Sequence, residues 1–211
     1  MDDLGFVLLD TSPNLVDEWN RAFVEHNPTR DNFTFLQSKL EDLPEQYHSF
    51  DCIVSPANSY GRLDGGFDYF LSQAISPFGD LDAPTKIVQK VLYSKWKGFA
   101  PPGTCTLVPL KDTSCFPNPY SCRFIALCPT MHIPERVNWN KEIVYNCIWA
   151  LLTEISTYNG SSQDKIHTVV MTGLATGVGS VPAERCAQQM ALAIRDFYDA
   201  LENPDKWSAM D

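Results

Sequence analysis

The sequence predicts an α/β fold in which a mixed or mostly parallel sheet is covered by helices on both faces. Short β-branched and aliphatic runs, typical of buried strands, alternate along the chain with segments whose apolar residues recur every three or four positions, as on one face of a helix. This alternation is the pattern of layered α/β proteins. Because 211 residues can bury one substantial core and nothing in them requires a second unit, we expect a single domain over 1–211.

The first half of the chain is predicted to contain three strands and three helices. The strands are expected over 5–9, 33–36 and 51–55. Ser12 and Pro13 mark a helix start, and Asn27 followed by proline marks its end. A second helix begins near residue 67 and a third carries the apolar stripe of residues 87–92.

The second half continues the same alternation. Strands are expected over 104–110, 123–127 and 166–171. A long helical pattern runs from about 140 to 158, and the apolar positions from 186 to 197 mark a closing helix. In an open α/β sheet ligands bind outside the carboxyl ends of the strands, so the loops that follow the strands become the candidate sites.

The composition excludes several classes of function. The formal net charge is −10 and the sequence pI is about 4.7, so the chain lacks the basic surface that nucleic acids and anionic membranes require. It contains no run of about 18 apolar residues, and its acidic N-terminus with a short apolar run is unlike a secretory signal. A small anionic ligand is still compatible with this charge if backbone donors and helix ends hold it.

The seven cysteines are odd in number and include no CxxC pair. Without a secretory signal they are expected to be reduced, buried thiols, and the protein to be cytoplasmic, nuclear or both. Cys115, Cys122, Cys128 and His132 have spacings that match no zinc knuckle. We therefore expect no metal and no cofactor.

The first candidate site is the segment IVSPANSYGRLDGG, residues 53–66, which leads from a strand into the helix pattern FDYFLSQAI. A strand that ends in Asn, Ser and paired Gly before a helix is a usual construction for holding a phosphorylated ligand. The glycines let the backbone approach the ligand, and Asn58 offers both an acceptor and a donor. A tight turn that binds no ligand is the alternative that this segment alone leaves open.

The second candidate site is TGLATGVGSVP, residues 172–182, between a strand and the closing helix. Its small residues would let successive N–H groups wrap a phosphate ahead of a helix N-terminus, and Pro182 suits the first turn of that helix. A glycine-rich connection without a ligand is again the alternative. The chain has neither a GxGxxG fingerprint nor a GxxxxGK[ST] loop, which argues against a dehydrogenase or P-loop enzyme.

Together these segments resemble a known family. IVSPANSYGRLDGGFD is similar to the first ligand loop of macro domains, and TGLATGVGSVP to their second, phosphate-wrapping loop, in the same order and over about 33–201. The resemblance implies a three-layer α/β/α macro-domain fold with a mixed central sheet, an extra N-terminal strand-helix unit at about 5–27 and a short polar C-terminal tail. With the preceding FVLLDTSPNLVDEW, the chain is most similar to stand-alone macro-domain proteins described as ADP-ribose 1″-phosphate phosphatases.

The resemblance implies two catalytic residues. Asn58 matches the asparagine that hydrogen-bonds the distal ribose, and its amide could also orient a water or a leaving phosphate. Asp68 matches an acidic residue that positions or activates water in some hydrolytic macro domains. An aspartate that only complements a helix dipole is the alternative for Asp68. The implied ligand-binding residues are Asp10, Asn58, Gly65, Gly66, Phe67, Gly173, Ala175, Thr176, Gly177, Val178 and Gly179.

The chain also departs from the family pattern. Lys39 lies where many macro domains carry an adenine-binding Asp, and Asp10 could take over that role or instead cap the first helix. Asp64 replaces a frequent Gly, which would place a negative charge near anionic groups unless it points away. Ser72 replaces a His of some hydrolases. The second loop lacks an aromatic that packs on the distal ribose, and Phe67 could supply part of that contact.

Three functions are therefore compatible with the resemblance. The first is an enzyme that removes the phosphate of ADP-ribose 1″-phosphate or another group on the distal ribose. The second is a non-catalytic module that binds ADP-ribose or mono-ADP-ribosylated proteins. The third is a divergent macro-like protein for another nucleotide or a protein partner. We expect ADP-ribose or ADP-ribose 1″-phosphate as the ligand, with ADP-ribosylated proteins as further partners, and neither nucleic acid nor membrane. His132 is the one histidine expected near the site.

Overall fold

A computed structural model describes residues 3–28 and 32–209. The ends of the predicted 1–211 span, residues 1–2 and 210–211, and residues 29–31 lie outside the described residues. The strands are β1 (Gly5–Asp10), β2 (Phe33–Gln37), β3 (Cys52–Ser55), β4 (Thr106–Pro109), β5 (Phe124–Leu127) and β6 (Thr168–Met171). The helices are α1 (Pro13–His26), α2 (Phe67–Ile75), α3 (Ala83–Trp96), α4 (Ile143–Ser161), α5 (Ala183–Glu202) and α6 (Pro204–Ser208), and two short 3-10 turns cover Leu40–Asp42 and Glu45–Tyr47.

The six strands form one sheet in the order β2-β1-β6-β3-β5-β4. All neighbouring pairs are parallel except β4 and β5, which are antiparallel. The predicted α/β fold with a mixed central sheet is confirmed. The order also shows that the N-terminal strand β1 is an interior strand, since it pairs with both β2 and β6.

The four interior strands β1, β3, β5 and β6 are buried on both faces, and alternate residues point into two separate cores. One core lies between the sheet and helices α1, α4 and α5, and Trp19, Leu151 and Met190 are buried in it. The other lies under α2 and α3 and contains Leu71 and Leu92. The apolar stripes predicted for these helices face these two cores, which gives the three α/β/α layers.

The strand order determines which loops meet. Because β6 lies between β1 and β3, the chain after β6 leaves the sheet between the carboxyl ends of those two strands. Register pairs Leu8 of β1 with Met171 of β6, and Ile53 of β3 with Val170 of β6. The two glycine-containing loops and the end of β1 therefore occupy neighbouring positions on one edge of the sheet.

The C-terminal tail predicted as polar contains the short helix α6. Trp207 of α6 packs on Trp149 of α4 with ring centroids 5.4 Å apart, and its indole N–H donates to Asp199 Oδ2 over 2.7 Å. Across residues 3–28 and 32–209, no helix combines the length and the apolarity that a membrane crossing needs.

Candidate functional site

A cleft of about 360 Å³ opens at the carboxyl edge of the sheet, where β1, β3 and β6 end. Its walls are the first loop, after β3, the start of α2, and the second loop, between β6 and α5. The loop after β5 adds Met131 and Pro134 to one side. Every predicted site residue lines this cleft: Asp10, Asn58, Gly65, Gly66, Phe67, Asp68, Gly173, Ala175, Thr176, Gly177, Val178 and Gly179.

In the first loop, the side chain of Asn58 organises its own turn. Its Oδ1 accepts the Tyr60 N–H over 3.0 Å, and its Nδ2 makes a longer contact of 3.4 Å with the Arg62 carbonyl. The backbone of Asn58 also forms a parallel bridge with Met131. The amide retains one further N–H, so Asn58 can shape the loop and still donate into the cleft.

Asp64 does not present an unpaired charge to the cleft. The Arg62 Nε–H donates to Asp64 Oδ2 over 2.9 Å, and a second guanidinium N–H reaches the same oxygen. Both side chains are more than half exposed. The sequence interpretation overlooked Arg62, although the spacing Arg-Leu-Asp could have suggested the pair. Because Arg62 also lines the cleft, the pair places a cation beside any anionic ligand.

Helix α2 begins at the cleft with free backbone donors. Gly66 is its N-cap residue at φ +57°, a conformation that favours glycine, and no side chain caps this end. A Cβ at Gly65 or Gly66 would meet nothing within 4 Å, so the space beside them is the cleft itself. The start of α2 therefore lies beside open cleft, where an anion can accept its uncapped N–H groups.

The glycines of the second loop have two different roles. A Cβ on Gly173 would lie 2.5 Å from Leu15 Cδ2, and one on Gly179 would lie 2.6 Å from the Ala175 carbonyl oxygen, so both permit close packing. A Cβ on Gly177 would meet nothing within 4 Å. Close packing thus explains two of the glycines, whereas Gly177 borders open cleft.

The tip of the second loop also carries unused donors. The Ser180 N–H donates to the Gly177 carbonyl and the Val181 N–H to the Ala175 carbonyl, which fixes a compact turn. Within the part of the chain that the structure describes, the N–H groups of residues 176–179 donate to no protein acceptor. Consecutive free N–H groups ahead of helix α5 are the arrangement that binds phosphate.

Asp68 is a buried carboxylate at the base of the first loop. Its side chain is 6% exposed, and Oδ1 accepts the hydroxyl of the buried Ser55 over 2.7 Å. Burial raises the pKa of Asp68 from 3.8 to about 7, the Ser55 hydrogen bond opposes that rise, and the negative charge of Asp64 adds to it. Oδ2 accepts no hydrogen bond from the described residues, so it is available to a water or ligand in the cleft. A carboxyl group with such a pKa can exchange a proton at neutral pH.

Asp10 lies at the end of β1 and contacts both the start of α1 and the second loop. Its Oδ1 accepts the Ser12 N–H over 2.8 Å, which supports the start of α1, and its Oδ2 accepts the Thr172 hydroxyl over 2.8 Å. Asp10 therefore ties the end of β1 to the first residue after β6. Each oxygen keeps a further lone pair for a ligand donor.

A second lobe of about 290 Å³ adjoins the cleft and shares Asp10, Phe67 and Thr172 with it. Leu40 and Phe70 are among its apolar lining residues. The other lining residues are Leu9, Thr11, Ser38 and Lys39. Lys39 is in an exposed ion pair with Glu41, with 3.2 Å between Nζ and Oε1. A lobe with apolar lining residues and a carboxylate at its junction with the cleft suits an aromatic base.

Two further residues noted in the sequence lie outside the chemistry of the cleft. Ser72 is fully buried and its hydroxyl donates to the Leu63 carbonyl over 2.8 Å, so it fixes the first loop. His132 is half-exposed and stacks on Trp139, beside the cleft but not in its lining. No cluster of three or more possible metal ligands occurs among residues 3–28 and 32–209.

Comparison with known proteins identifies the family. The family model described as macro-like domain matches residues 30–203, most of the chain. The chain belongs to the macro-like domain family. This assignment confirms the resemblance drawn from the two loops.

Solved structures show the same macro-domain fold at low sequence identity. A mutant of the Oceanobacillus iheyensis macrodomain with ADPR has a TM-score of 0.52 and 22% identity, covering 70% of this chain and 70% of that one. The structure of the same macrodomain with ADP has a TM-score of 0.52 and 22% identity, covering 72% of each chain. A Trypanosoma brucei macrodomain in complex with ADP has a TM-score of 0.50 and 15% identity, covering 71% of this chain and 52% of that one.

Proposed function

We propose that the cleft binds ADP-ribose or a derivative, and that the protein hydrolyses the phosphate of ADP-ribose 1″-phosphate or another group on the distal ribose. The observation that carries the proposal is the presence in one cleft of unused N–H groups at residues 176–179 and of the buried carboxylate of Asp68. The first feature suits a phosphate and the second suits proton transfer. The family membership and the ADPR and ADP in related macrodomain structures support this choice of ligand.

The adenine is assigned to the second lobe. Its apolar wall, with Leu40, Phe67 and Phe70, would cover the faces of a base, and a free lone pair of Asp10 would accept its amino group. Lys39 cannot replace Asp10 in this role, because an ammonium group has no acceptor.

The pyrophosphate is assigned to the space between the two loops. The N–H groups at 176–179 and those at the start of α2 supply its donors, and Arg62 supplies a cation. This local set of donors explains how a chain with a net charge of −10 could hold an anion. The distal ribose then lies near Asn58 and Asp68.

In the proposed reaction, Oδ2 of ionised Asp68 takes a proton from a water whose oxygen attacks the phosphorus of the 1″-phosphate. The bond between phosphorus and the ribose oxygen breaks, the proton returns to that oxygen, and the products are ADP-ribose and inorganic phosphate. Ser55 keeps Oδ1 occupied and so directs Oδ2 to the water. The remaining N–H of Asn58 would orient the leaving group. Attack of water at C1″ would give the same products. Reaction in oxygen-labelled water distinguishes the two routes, because only attack at phosphorus places the labelled oxygen in the released phosphate.

A non-catalytic ADP-ribose-binding module is the second candidate. Ser72 favours it, because the hydroxyl at the position of a His in some hydrolases is buried and committed to the Leu63 carbonyl. Proton transfer would then depend on Asp68, the buried carboxyl group of the cleft whose pKa is raised to about 7.

The test combines binding with product analysis. The protein is titrated with ADP-ribose in a calorimeter and incubated with ADP-ribose 1″-phosphate, O-acetyl-ADP-ribose and a mono-ADP-ribosylated protein, and the products are identified by mass spectrometry. Gly177→Glu should weaken binding at least tenfold, because its carboxylate enters the cleft, whereas Gly160→Glu, at an exposed and equally open position on α4, should not.

Asp68→Asn should abolish turnover but retain most of the binding, and Asp17→Asn, on the exposed face of α1, should change neither. Binding without turnover of any substrate would establish the module instead of the enzyme. Absence of heat with ADP-ribose would refute both candidates and leave the divergent macro-like protein.

We also propose that residues 1–211 act as one domain in a reducing compartment, the cytoplasm or the nucleus. The strand β1 is interior, and α1 packs on α5, with the Trp19 indole N–H 3.3 Å from Met190 Sδ. All seven cysteines are free and buried.

A further inference from the structure

Four aromatic rings form a continuous exposed row beside the cleft. We call it the aromatic ledge, and it consists of Tyr60, Phe99, His132 and Trp139. The centroids of the first two rings are 5.7 Å apart, and those of Phe99 and His132 are also 5.7 Å apart. His132 and Trp139 stack with centroids 5.1 Å apart and planes 18° apart.

The ledge is assembled from three separate segments, and its rings are not core. Tyr60 belongs to the first loop, Phe99 follows α3, and the other two belong to the loop after β5. Tyr60 is 46% exposed, Phe99 38% and Trp139 45%. Neighbouring Ile133 is 56% exposed. Isolated exposed apolar residues are common, but a contiguous row of this kind marks an interaction surface.

The ledge continues one wall of the cleft. Met131 and Pro134 line the cleft, and His132 and Ile133 lie between them in the chain. Met131 is also bridged to Asn58. The adenine lobe lies on the other side of Asp10 and Phe67, so the ledge adjoins the end of the cleft assigned to the distal ribose. Whatever is attached to that ribose would leave the cleft over these rings.

We propose that the aromatic ledge binds the polypeptide segment that flanks the residue carrying the ADP-ribosyl group. This inference rests on the proposed function and assigns to the polypeptide a surface outside the cleft. A terminal phosphate would need no apolar surface beyond the cleft, whereas a peptide chain extends over it. The residues flanking the modified one would be apolar, to pack on the rings.

The charges of the molecule favour a peptide over a nucleic acid and favour basic flanking residues. Glu135 lies at the ledge, with Oε1 3.9 Å from His132 Nδ1, and Arg62 at the nearby cleft wall is paired with Asp64. The chain as a whole carries −10. An oligonucleotide could stack on the rings, but the net negative charge of the chain opposes the approach of its phosphates.

The test compares one ADP-ribosyl group in two settings. Wild type is titrated with free ADP-ribose and with a short peptide that carries ADP-ribose through a non-hydrolysable linkage, flanked by leucine and lysine. We expect the peptide to bind about tenfold more tightly than free ADP-ribose. Trp139→Ser and Phe99→Ser should each remove most of this advantage and leave binding of free ADP-ribose within about twofold. Phe78→Ser, at a fully exposed ring outside the ledge, is the matched control and should change neither.

Several results would overturn the inference. One is equal affinity of wild type for the peptide and for free ADP-ribose. Another is that the ledge variants lose affinity for the peptide and for free ADP-ribose by the same factor. Tighter, Trp139-dependent binding of an ADP-ribosylated oligonucleotide would assign the ledge to nucleic acid. If sedimentation shows that wild type self-associates and that Trp139→Ser abolishes this association, the ledge would be assigned to a second copy of the chain. Failure of wild type to bind ADP-ribose at all would refute the proposed function and this inference together, whereas the other results leave the proposed function intact.

Discussion

Replacing Asp68 by Asn tests the electrostatic reasoning behind the catalytic proposal. The two side chains have nearly the same shape, but Asn carries no charge. Asp68 is 6% exposed, and burial is the main reason why its pKa rises from 3.8 to about 7. At about 1.4 kcal/mol for each pKa unit, holding the ionised group in the native state costs at most about 4 kcal/mol.

The sign of the effect follows from proton binding in the two states. Below the unfolded-state pKa of 3.8 the carboxyl is protonated in both states and has no differential effect. As the pH rises further, the unfolded chain loses this proton while the native protein retains it until about pH 7. The stability of wild type relative to Asp68→Asn should therefore fall by up to about 1.4 kcal/mol per pH unit in that window and stay constant above it.

Urea unfolding of wild type and Asp68→Asn at a series of pH values measures this difference. Between about pH 5 and pH 8, the free energy of unfolding of wild type relative to the variant should fall by about 3 kcal/mol. Asp17→Asn removes an exposed carboxylate of α1 and is the matched control. A wild-type-minus-Asp68→Asn difference that stays constant within about 0.5 kcal/mol would show that the Asp68 pKa is not raised.

The same titration should govern catalysis. If Asp68 is the general base of the free enzyme, kcat/KM for ADP-ribose 1″-phosphate rises about tenfold per pH unit below its pKa and levels off above it. A profile that is flat from about pH 5 to pH 8 would remove Asp68 from the proton-transfer step.

Two further predictions concern the loops. Gly173→Ala should lower the free energy of unfolding by about 1–3 kcal/mol, because its Cβ would lie 2.5 Å from Leu15 Cδ2. Gly177→Ala should change the free energy of unfolding by less than about 0.5 kcal/mol, because its Cβ would meet nothing within 4 Å. Equal urea midpoints for the two variants would contradict the packing argument. Arg62→Ala should weaken ADP-ribose binding about fivefold at low salt, because Asp64 loses its partner, and by less at high salt. Calorimetry at two salt concentrations measures this effect. An unchanged affinity at low salt would show that the pair does not act on the ligand.

Local sequence patterns were sufficient to predict most of the fold. Ser12 and Pro13 begin α1 as expected, and the helix ends at His26 before Asn27, which adopts a left-handed conformation at φ 39°. The strands are shorter at some ends than predicted, as with β4, which covers Thr106–Pro109 instead of 104–110. The apolar periodicity extends beyond the residues that pair, so the pattern alone cannot locate a strand end.

Contacts between distant segments could not be predicted in this way. Nothing local indicates that β1 lies beside β6, or that β4 runs antiparallel to β5. The aromatic ledge is a product of the same kind of contact, because its rings come from three segments. Single aromatic residues at Phe99 and Trp139 gave no signal in the sequence, since a ring is as compatible with a core as with a surface.

The site shows the same division between backbone and side chains. Where a ligand would be held by backbone N–H groups, as at residues 176–179, the glycines and small residues of the sequence suffice to predict the geometry, because they determine how closely the chain can approach a ligand. Where side chains pair, the sequence leaves their role open. Asp64 alone suggests a negative charge that would repel the ligand, whereas the structure pairs it with Arg62. Asp10 likewise could bind adenine or cap a helix, and the structure shows why these roles need not compete. Its carboxylate supports α1 through Ser12 and the second loop through Thr172, which orients it at the junction of the two lobes with lone pairs still free for a base.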